Sequence, residues 1–193
     1  LLALLKVKTR YGTVQQDGFS LVELIVSIAV LSILISVAIP SFNSSILRVR
    51  ASSSADTLIT SINYARSEAI TRNQRIVLCA SDDGLNCLAP QGWNDGWIVM
   101  IQADGAVLRY KEISTPGASI TLTDAANTNF AAMRVVFTSS GETHLENAAG
   151  AETVQPYLFF VQVNGCNAPQ LNIRRQISIA ISGLMTVNPR LPC

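Results

Sequence analysis

Gly18-Phe19-Ser20-Leu21-Val22-Glu23-Leu24 opens a run of about 24 almost wholly apolar residues, Phe19 to Phe42, with a single carboxylate, Glu23, near its start. As a helix the run rises roughly 36 Å, enough to cross a hydrocarbon core of about 30 Å. An ionised glutamate inside a bilayer costs several kcal/mol, so a segment that carries one is expected to use the charge. Glu23 is a functional candidate on that ground alone. A secretory signal would have a shorter apolar region and a small-x-small cleavage site after it; none follows here, so the segment is expected to stay in the mature protein. Lys6, Lys8 and Arg10 precede the run. By the positive-inside rule the N-terminus is then cytoplasmic, and everything after Pro40 lies across the membrane.

Working outward, Ile46, Val49, Leu58, Ile62, Ala65 and Ala69 are compatible with one stripe of a helix that continues past Pro40. Arg48, Arg50, Asp56, Arg66 and Glu68 then fall on the wet side, with Ser52-Ser53-Ser54 the weakest stretch and Asn73 the terminator. Beyond Asn73 the signal changes to short β-type runs at 75–80, 97–102, 106–111, 133–138, 157–163, 175–182 and 184–187. Asn94-Asp95-Gly96, Ala103-Asp104-Gly105 and Ser182-Gly183 supply turns between them, while 116–130 gives no clear signal. The expected class is α+β: a long N-terminal helix, half membrane-spanning and half amphipathic, packed against an antiparallel β-sheet head. The 193 residues leave room for one anchor helix and one globular domain.

Lys and Arg number 14 against 13 Asp and Glu, so no global basic field argues for nucleic acid. The distribution is uneven, however: no acid follows Glu152, and Arg174, Arg175 and Arg190 all do. Four cysteines in an exported domain suggest two disulfides. Of the three connectivities, Cys79 with Cys87 and Cys166 with Cys193 is favoured, the first bracketing a short Ser81-Asp82-Asp83-Gly84 loop. No metal or other cofactor is expected, because the single histidine, His144, has no ligand-spaced companion and the cysteines form no CxxC pair. Adjacent Asp82 and Asp83 read as solvated rather than as calcium ligands, and Trp93 and Trp97 as core packing. With no nucleophile elbow, phosphate-cradling loop or H-E-x-x-H pair, an enzyme is not expected.

The glycine, the phenylalanine after it, the glutamate four residues further on, the apolar run and Pro40 together resemble the N-terminal region of type IV pilins and type II secretion pseudopilins. The resemblance implies a pilin-like fold and cleavage between Gly18 and Phe19 by a prepilin peptidase, which also methylates Phe19. Asp17 departs from the neutral or basic residues usual beside the cut, and the absence of a starting methionine points to a missing or misassigned start. The implied organisation is a leader at 1–18, a transmembrane and filament-core helix at 19–46, an amphipathic stem at 47–73 and a periplasmic head at 74–193. Within a filament Glu23 would neutralise the Phe19 amine of a neighbouring subunit, and Pro40 would loosen the helix for packing. The implied partners are the peptidase, the inner membrane and other minor and major pilins bound through the helix. The protein would be single-pass in the inner membrane until it enters a pilus or pseudopilus.

Ala65-Arg66-Ser67-Glu68-Ala69, Trp93-Asn94-Asp95-Gly96-Trp97-Ile98-Val99 and Arg175-Gln176-Ile177-Ser178-Ile179 resemble the FimT, FimU and GspH group of minor pilins and pseudopilins. The expected function is a minor type IV pilin in assembly or tip priming, the alternative a type II secretion pseudopilin. Some FimT-type relatives contact DNA through arginines at the last hairpin. Here the turn reads Ser182-Gly183-Leu184-Met185-Thr186, so Arg174, Arg175 and Arg190 are substitute candidates whose simpler reading is solvated strand charge.

Overall fold

The computed structural model describes residues 18–88, 92–113, 115, 117–124, 132–147, 149–166 and 172–193, excepting the side chains of 37–41, 124, 132, 133, 189 and 190. The chain divides into two compact units, Leu1–Ser41 and Phe42–Cys193.

Helix α1 spans Leu21–Arg72 and contains no glycine. It begins at Ser20, whose Oγ accepts the Glu23 N–H at 3.2 Å. Ser20 and Glu23 stand in the S-x-x-E spacing of a capping box. It ends at Asn73, which takes a positive φ of 53°. There the Gln74 N–H donates to Ala69 O and the Asn73 N–H to Ile70 O, at 3.2 and 3.4 Å, closing the last turn as a Schellman motif. The expected terminator is therefore the left-handed residue of the cap.

In the second unit α1 buries Ala51, Ala55, Leu58, Ile62, Ala65 and Ala69, an alternation of four- and three-residue steps. Leu47 continues that register one step back and packs against Ala51. Ile46 and Val49, expected on the stripe, fall outside it and are exposed, Val49 by 68%. The sequence reading favoured the larger aliphatics, whereas small residues let the sheets approach the helix closely.

Among the described residues ten strands follow: β1 Ile76–Ala80, β2 Gly96–Ile101, β3 Val107–Glu112, β4 Ala118–Asp124, β5 Ala132–Phe137, β6 Thr143–Asn147, β7 Glu152–Thr153, β8 Tyr157–Val163, β9 Asn172–Ile179 and β10 Met185–Pro192. They form two antiparallel sheets rather than one, in the orders β3-β2-β1-β5-β6-β7 and β10-β9-β8-β4. One core joins the α1 stripe to Ile76 and Leu78 of the first sheet and to Phe159 and Ile177 of the second. The other face of the first sheet buries Val77, Cys79, Ile98 and Val136, so central β1 is buried on both faces.

Strands β4, β6 and β7 were not expected. Thr143, His144 and Glu146 make β6 read as loop, yet all three are buried because each has a partner. The Thr143 hydroxyl lies 2.8 Å from that of Tyr157, and Glu146 accepts the Gln102 Nε2 at 2.8 Å. Last strand β10 runs past Val187 through Pro189, which an edge strand with an irregular register tolerates. Trp93 and Trp97 are core residues, and between them Asn94 Oδ1 accepts the Ile120 N–H at 2.7 Å, tying the approach to β2 in one sheet to β4 in the other.

Arg66, expected on the wet side, is half-buried and clamps the head. Its Nε–H donates to Gly141 O at 3.0 Å and its Nη2 to Ser182 O at 3.2 Å, joining α1 to the β5–β6 and β9–β10 turns. Gly183 beside it has a φ of 75°, and a Cβ there would stand 2.7 Å from the Arg66 Nε. Arg66→Ala is expected to destabilise the head by about 1–3 kcal/mol, since two carbonyls lose their donor. A drop of several degrees in melting temperature, only partly restored by Arg66→Lys, checks this; an unchanged transition would mean that the clamp contributes nothing.

Candidate functional site

Every described residue from Gly18 to Ser36 is exposed. Phe19 is 82% exposed, and Leu21, Val22, Leu24, Ile25 and Val26 follow it around the helix. A helix apolar on all sides needs a nonpolar surround. Glu23 stands alone in this surface, in the first turn of α1, and its carbonyl accepts the Ser27 hydroxyl at 2.7 Å. Among the described residues no helix is long and apolar enough to cross a membrane. The expected 19–46 span includes the side chains of 37–41, Pro40 among them, which lie outside the description, as does the leader before Gly18. The cap made by Ser20 escaped the sequence reading, although its S-x-x-E spacing was there to be read.

In the head, disulfides join Cys79 to Cys87 and Cys166 to Cys193, with Cα–Cα distances of 5.5 and 5.2 Å. The first closes a loop organised by Asp83, whose carboxylate accepts from Leu85 N, Asn86 N, Asn86 Nδ2 and Ser81 Oγ at 2.7, 2.8, 2.7 and 3.1 Å. These bonds, the Asn86 backbone N–H foremost, hold the Asp83 carboxyl well below the usual range. Three donors converge on Oδ1 and one reaches Oδ2, so Asp83 is engaged by the turn itself. The Tyr110 ring covers Gly84, and its hydroxyl donates to Asp82 O at 3.2 Å. The second disulfide packs with Leu47, Ala51, Val163 and Ile173, fastening the β8–β9 turn beside α1.

His144 belongs to a polar network on the first sheet. Its Nε2 lies 2.8 Å from Arg75 Nη2 and 3.3 Å from Glu152 Oε1, while Arg75 pairs with Glu152 at 2.5 Å. The role of the ring nitrogen follows its tautomer: bare, it accepts from the guanidinium; carrying a proton, it donates to the Glu152 carboxylate. The Arg75 hydrogen bond, before any other cause, holds the Glu152 carboxyl below its ordinary value. Among the described residues no group of three or more His, Cys, Asp or Glu is placed to hold a metal.

Arg174 and Arg175 adjoin on β9 and therefore project to opposite faces. The Arg174 guanidinium stacks 3.9 Å above the Phe160 ring, and Arg175 Nη2 donates to Ser52 Oγ at 2.6 Å. Arg190 lies in β10 with its side chain outside the description.

A stem helix whose start is apolar on all sides, carrying a two-sheet antiparallel head, defines a pilin-like subunit. The family profile described as Type II transport protein GspH matches residues 54–182, and that of the prokaryotic N-terminal methylation motif matches residues 14–39. The chain belongs to the GspH family and is a type IV pilin-like minor pilin or pseudopilin. A crystal structure of the type IV minor pilin FimU of Pseudomonas aeruginosa strain PAO1 is 21% identical, with a TM-score of 0.52, over 74% of this chain and 90% of that one. It shares the fold. A second FimU crystal form is 22% identical at a TM-score of 0.49, over 72% of this chain and 92% of that one. The minor pseudopilin EpsH from the type 2 secretion system of Vibrio cholerae is 13% identical at 0.46, over 72% and 97%. No curated protein matches the chain. Pilin and pseudopilin families are structural, membrane-anchored subunits with periplasmic heads, and membership implies contact with other pilins and processing by a prepilin peptidase.

Asp83 and Glu152 both have depressed pKa values, so the stability they confer is complete above the ordinary carboxylate range, roughly pH 4, and is lost as pH falls through the depressed values. The melting temperature of the full chain in detergent is expected to fall on acidification below about pH 4, less steeply in Asp83→Asn. An identical acid limb in that variant would remove Asp83 from the account. Replacing Cys166 and Cys193 together by serine is expected to cost about 3 kcal/mol. Denaturant unfolding of the pair variant measures it, and an unshifted midpoint would show that the C-terminal tie is dispensable.

Proposed function

We propose that this chain is a minor type IV pilin that takes part in pilus assembly or tip priming and has no catalytic activity of its own. The observation that carries the reading is the exposed apolar start of α1 with one carboxylate, Glu23, one turn from Phe19. Prepilin peptidase cuts between Gly18 and Phe19 and methylates the new amine. The products are a leader at 1–18, a membrane and filament-core helix at 19–46 with Pro40 as its loosening point, a stem at 47–73 and a periplasmic head at 74–193. In the filament Glu23 neutralises the Phe19 amine of a neighbouring subunit.

The second reading, a pseudopilin of a type II secretion system, is favoured by the GspH profile over residues 54–182. Copurification separates the two: other minor pilins support the first and secretion-channel components the second. DNA contact through Arg174, Arg175 and Arg190 is the weaker reading, because Arg174 is stacked on Phe160 and Arg175 is bonded to Ser52.

A glutamine at residue 23 keeps the polar group of a capping box and removes the charge. Glu23→Gln is therefore expected to be exported and processed, with N-methylphenylalanine at residue 19 by mass spectrometry. Its recovery in sheared filaments should fall at least about tenfold, since a buried amine left unpaired costs several kcal/mol. Native-level incorporation would reduce Glu23 to a helix cap and sink the charge pair.

A further inference from the structure

Arg48 and Arg175 are far apart in sequence and line one cleft. Arg48 is exposed on α1; Arg175 comes from β9, on the face that also buries Ile173 and Ile177. Ser52, Asn172 and Ile173 complete a cleft of about 40 Å³, room for a few water-sized groups. Among the described residues neither guanidinium is ion-paired. Arg175 gives one N–H to Ser52 and keeps others; the nearest acid on the same helix, Asp56, lies one turn beyond Ser52, lines the adjoining groove with Arg48 and makes no ion pair among the described residues. Two planar cations outside any ion pair among the described residues, with a hydroxyl and a carboxamide at a small opening, suit an oxyanion. Phosphate fits best, through bidentate donation.

Position selects which phosphate. Arg48 follows Phe42, the end of the apolar run, by six residues of α1. That is a rise of about 9 Å, comparable with a headgroup layer of roughly 5–8 Å per leaflet. Removal of the leader also removes Lys6, Lys8 and Arg10, so every Lys or Arg side chain left near the apolar run stands on its exported side.

We propose that Arg48, Ser52, Asn172 and Arg175 seat the phosphodiester of an anionic phospholipid in the exported-side leaflet. The proposal rests on the membrane-anchored reading above and goes beyond it. The seat holds the head at the bilayer surface while the subunit waits there, and it empties when the subunit leaves the membrane for a filament. The disulfide between Cys166 and Cys193, packed against Leu47, Ala51 and Ile173, keeps the start of β9 beside α1 and so keeps the cleft in shape.

Native mass spectrometry of the processed full chain in a neutral detergent, with added phosphatidylglycerol or phosphatidylcholine, tests this. Phosphatidylglycerol is expected to be retained at one site where phosphatidylcholine is not. Arg48→Gln, at an exposed position of α1, is expected to weaken retention roughly fivefold, and Arg175→Gln likewise. Melting curves verify that both variants fold. Equal retention of the two lipids, or unchanged phosphatidylglycerol binding in Arg48→Gln, would overturn the seat. Displacement of the lipid by equimolar inorganic phosphate would make it a site for free oxyanion, and displacement by a short DNA duplex a nucleic-acid contact; either overturns the lipid reading. Carbonate extraction of native membranes reads the anchor separately. A chain released by carbonate refutes the anchored reading, whereas a resistant chain without lipid preference refutes the seat alone.

Discussion

Apolar surface has to leave water, and α1 carries two kinds of it on one helix. Between Leu21 and Ser36 it is apolar all round and every residue is exposed among the described residues. From Ala51 onward it is apolar along a single stripe that two sheets cover completely. The first surface needs a nonpolar surround; the second is what the head folds upon. Most of the rest answers to that division. Both sheets meet the small residues of the stripe, the Cys166–Cys193 tie anchors the β8–β9 turn beside Leu47, and Arg66, about two turns before Asn73, ties the helix to the β5–β6 and β9–β10 turns.

What could be read in the sequence was what is local. A contiguous apolar run, a lone glutamate, an asparagine ending a periodic stripe and strands rich in valine and isoleucine all announce themselves within a short window. Arg66 could not be read in this way, because its two acceptors lie 75 and 116 residues away and both are backbone carbonyls. Strand β6 was hidden by Thr143, His144 and Glu146, whose burial depends on partners in other strands. The stripe was read correctly at Leu58, Ile62, Ala65 and Ala69 but misjudged at its start, because Ile46 and Val49 are more apolar than Ala51 and Ala55, which do the packing there. Ser20 was a different kind of miss: the capping spacing was visible, but the glutamate in it had already been given another role.

The head says less about its biological setting than the helix does. Its Trp93-Asn94-Asp95-Gly96-Trp97 motif joins the two sheets, the Asp83 loop satisfies itself, and the arginines of β9 are engaged by Phe160 and Ser52. These features are structural solutions, which suit a pilus and a secretion pseudopilus equally. The distinction between the two must therefore lie in the surfaces that meet partners.

The Ser20 cap has a consequence for how subunits are driven together. An α-helix presents roughly half a positive charge at its N-terminus. Under the proposed processing Phe19 becomes the chain terminus one residue before the cap, so a full ammonium charge is set at the positive pole of the macrodipole. Those two charges repel. Glu23 sits within that first turn and opposes the dipole, but one carboxylate serving both leaves the end of a lone subunit undercompensated. In the proposed filament a newly arriving subunit would bring the missing negative charge and at the same time its own unmet positive end. Each addition would then recreate the electrostatic demand that drew it in, which would give the assembly a built-in polarity and a reason to continue in one direction.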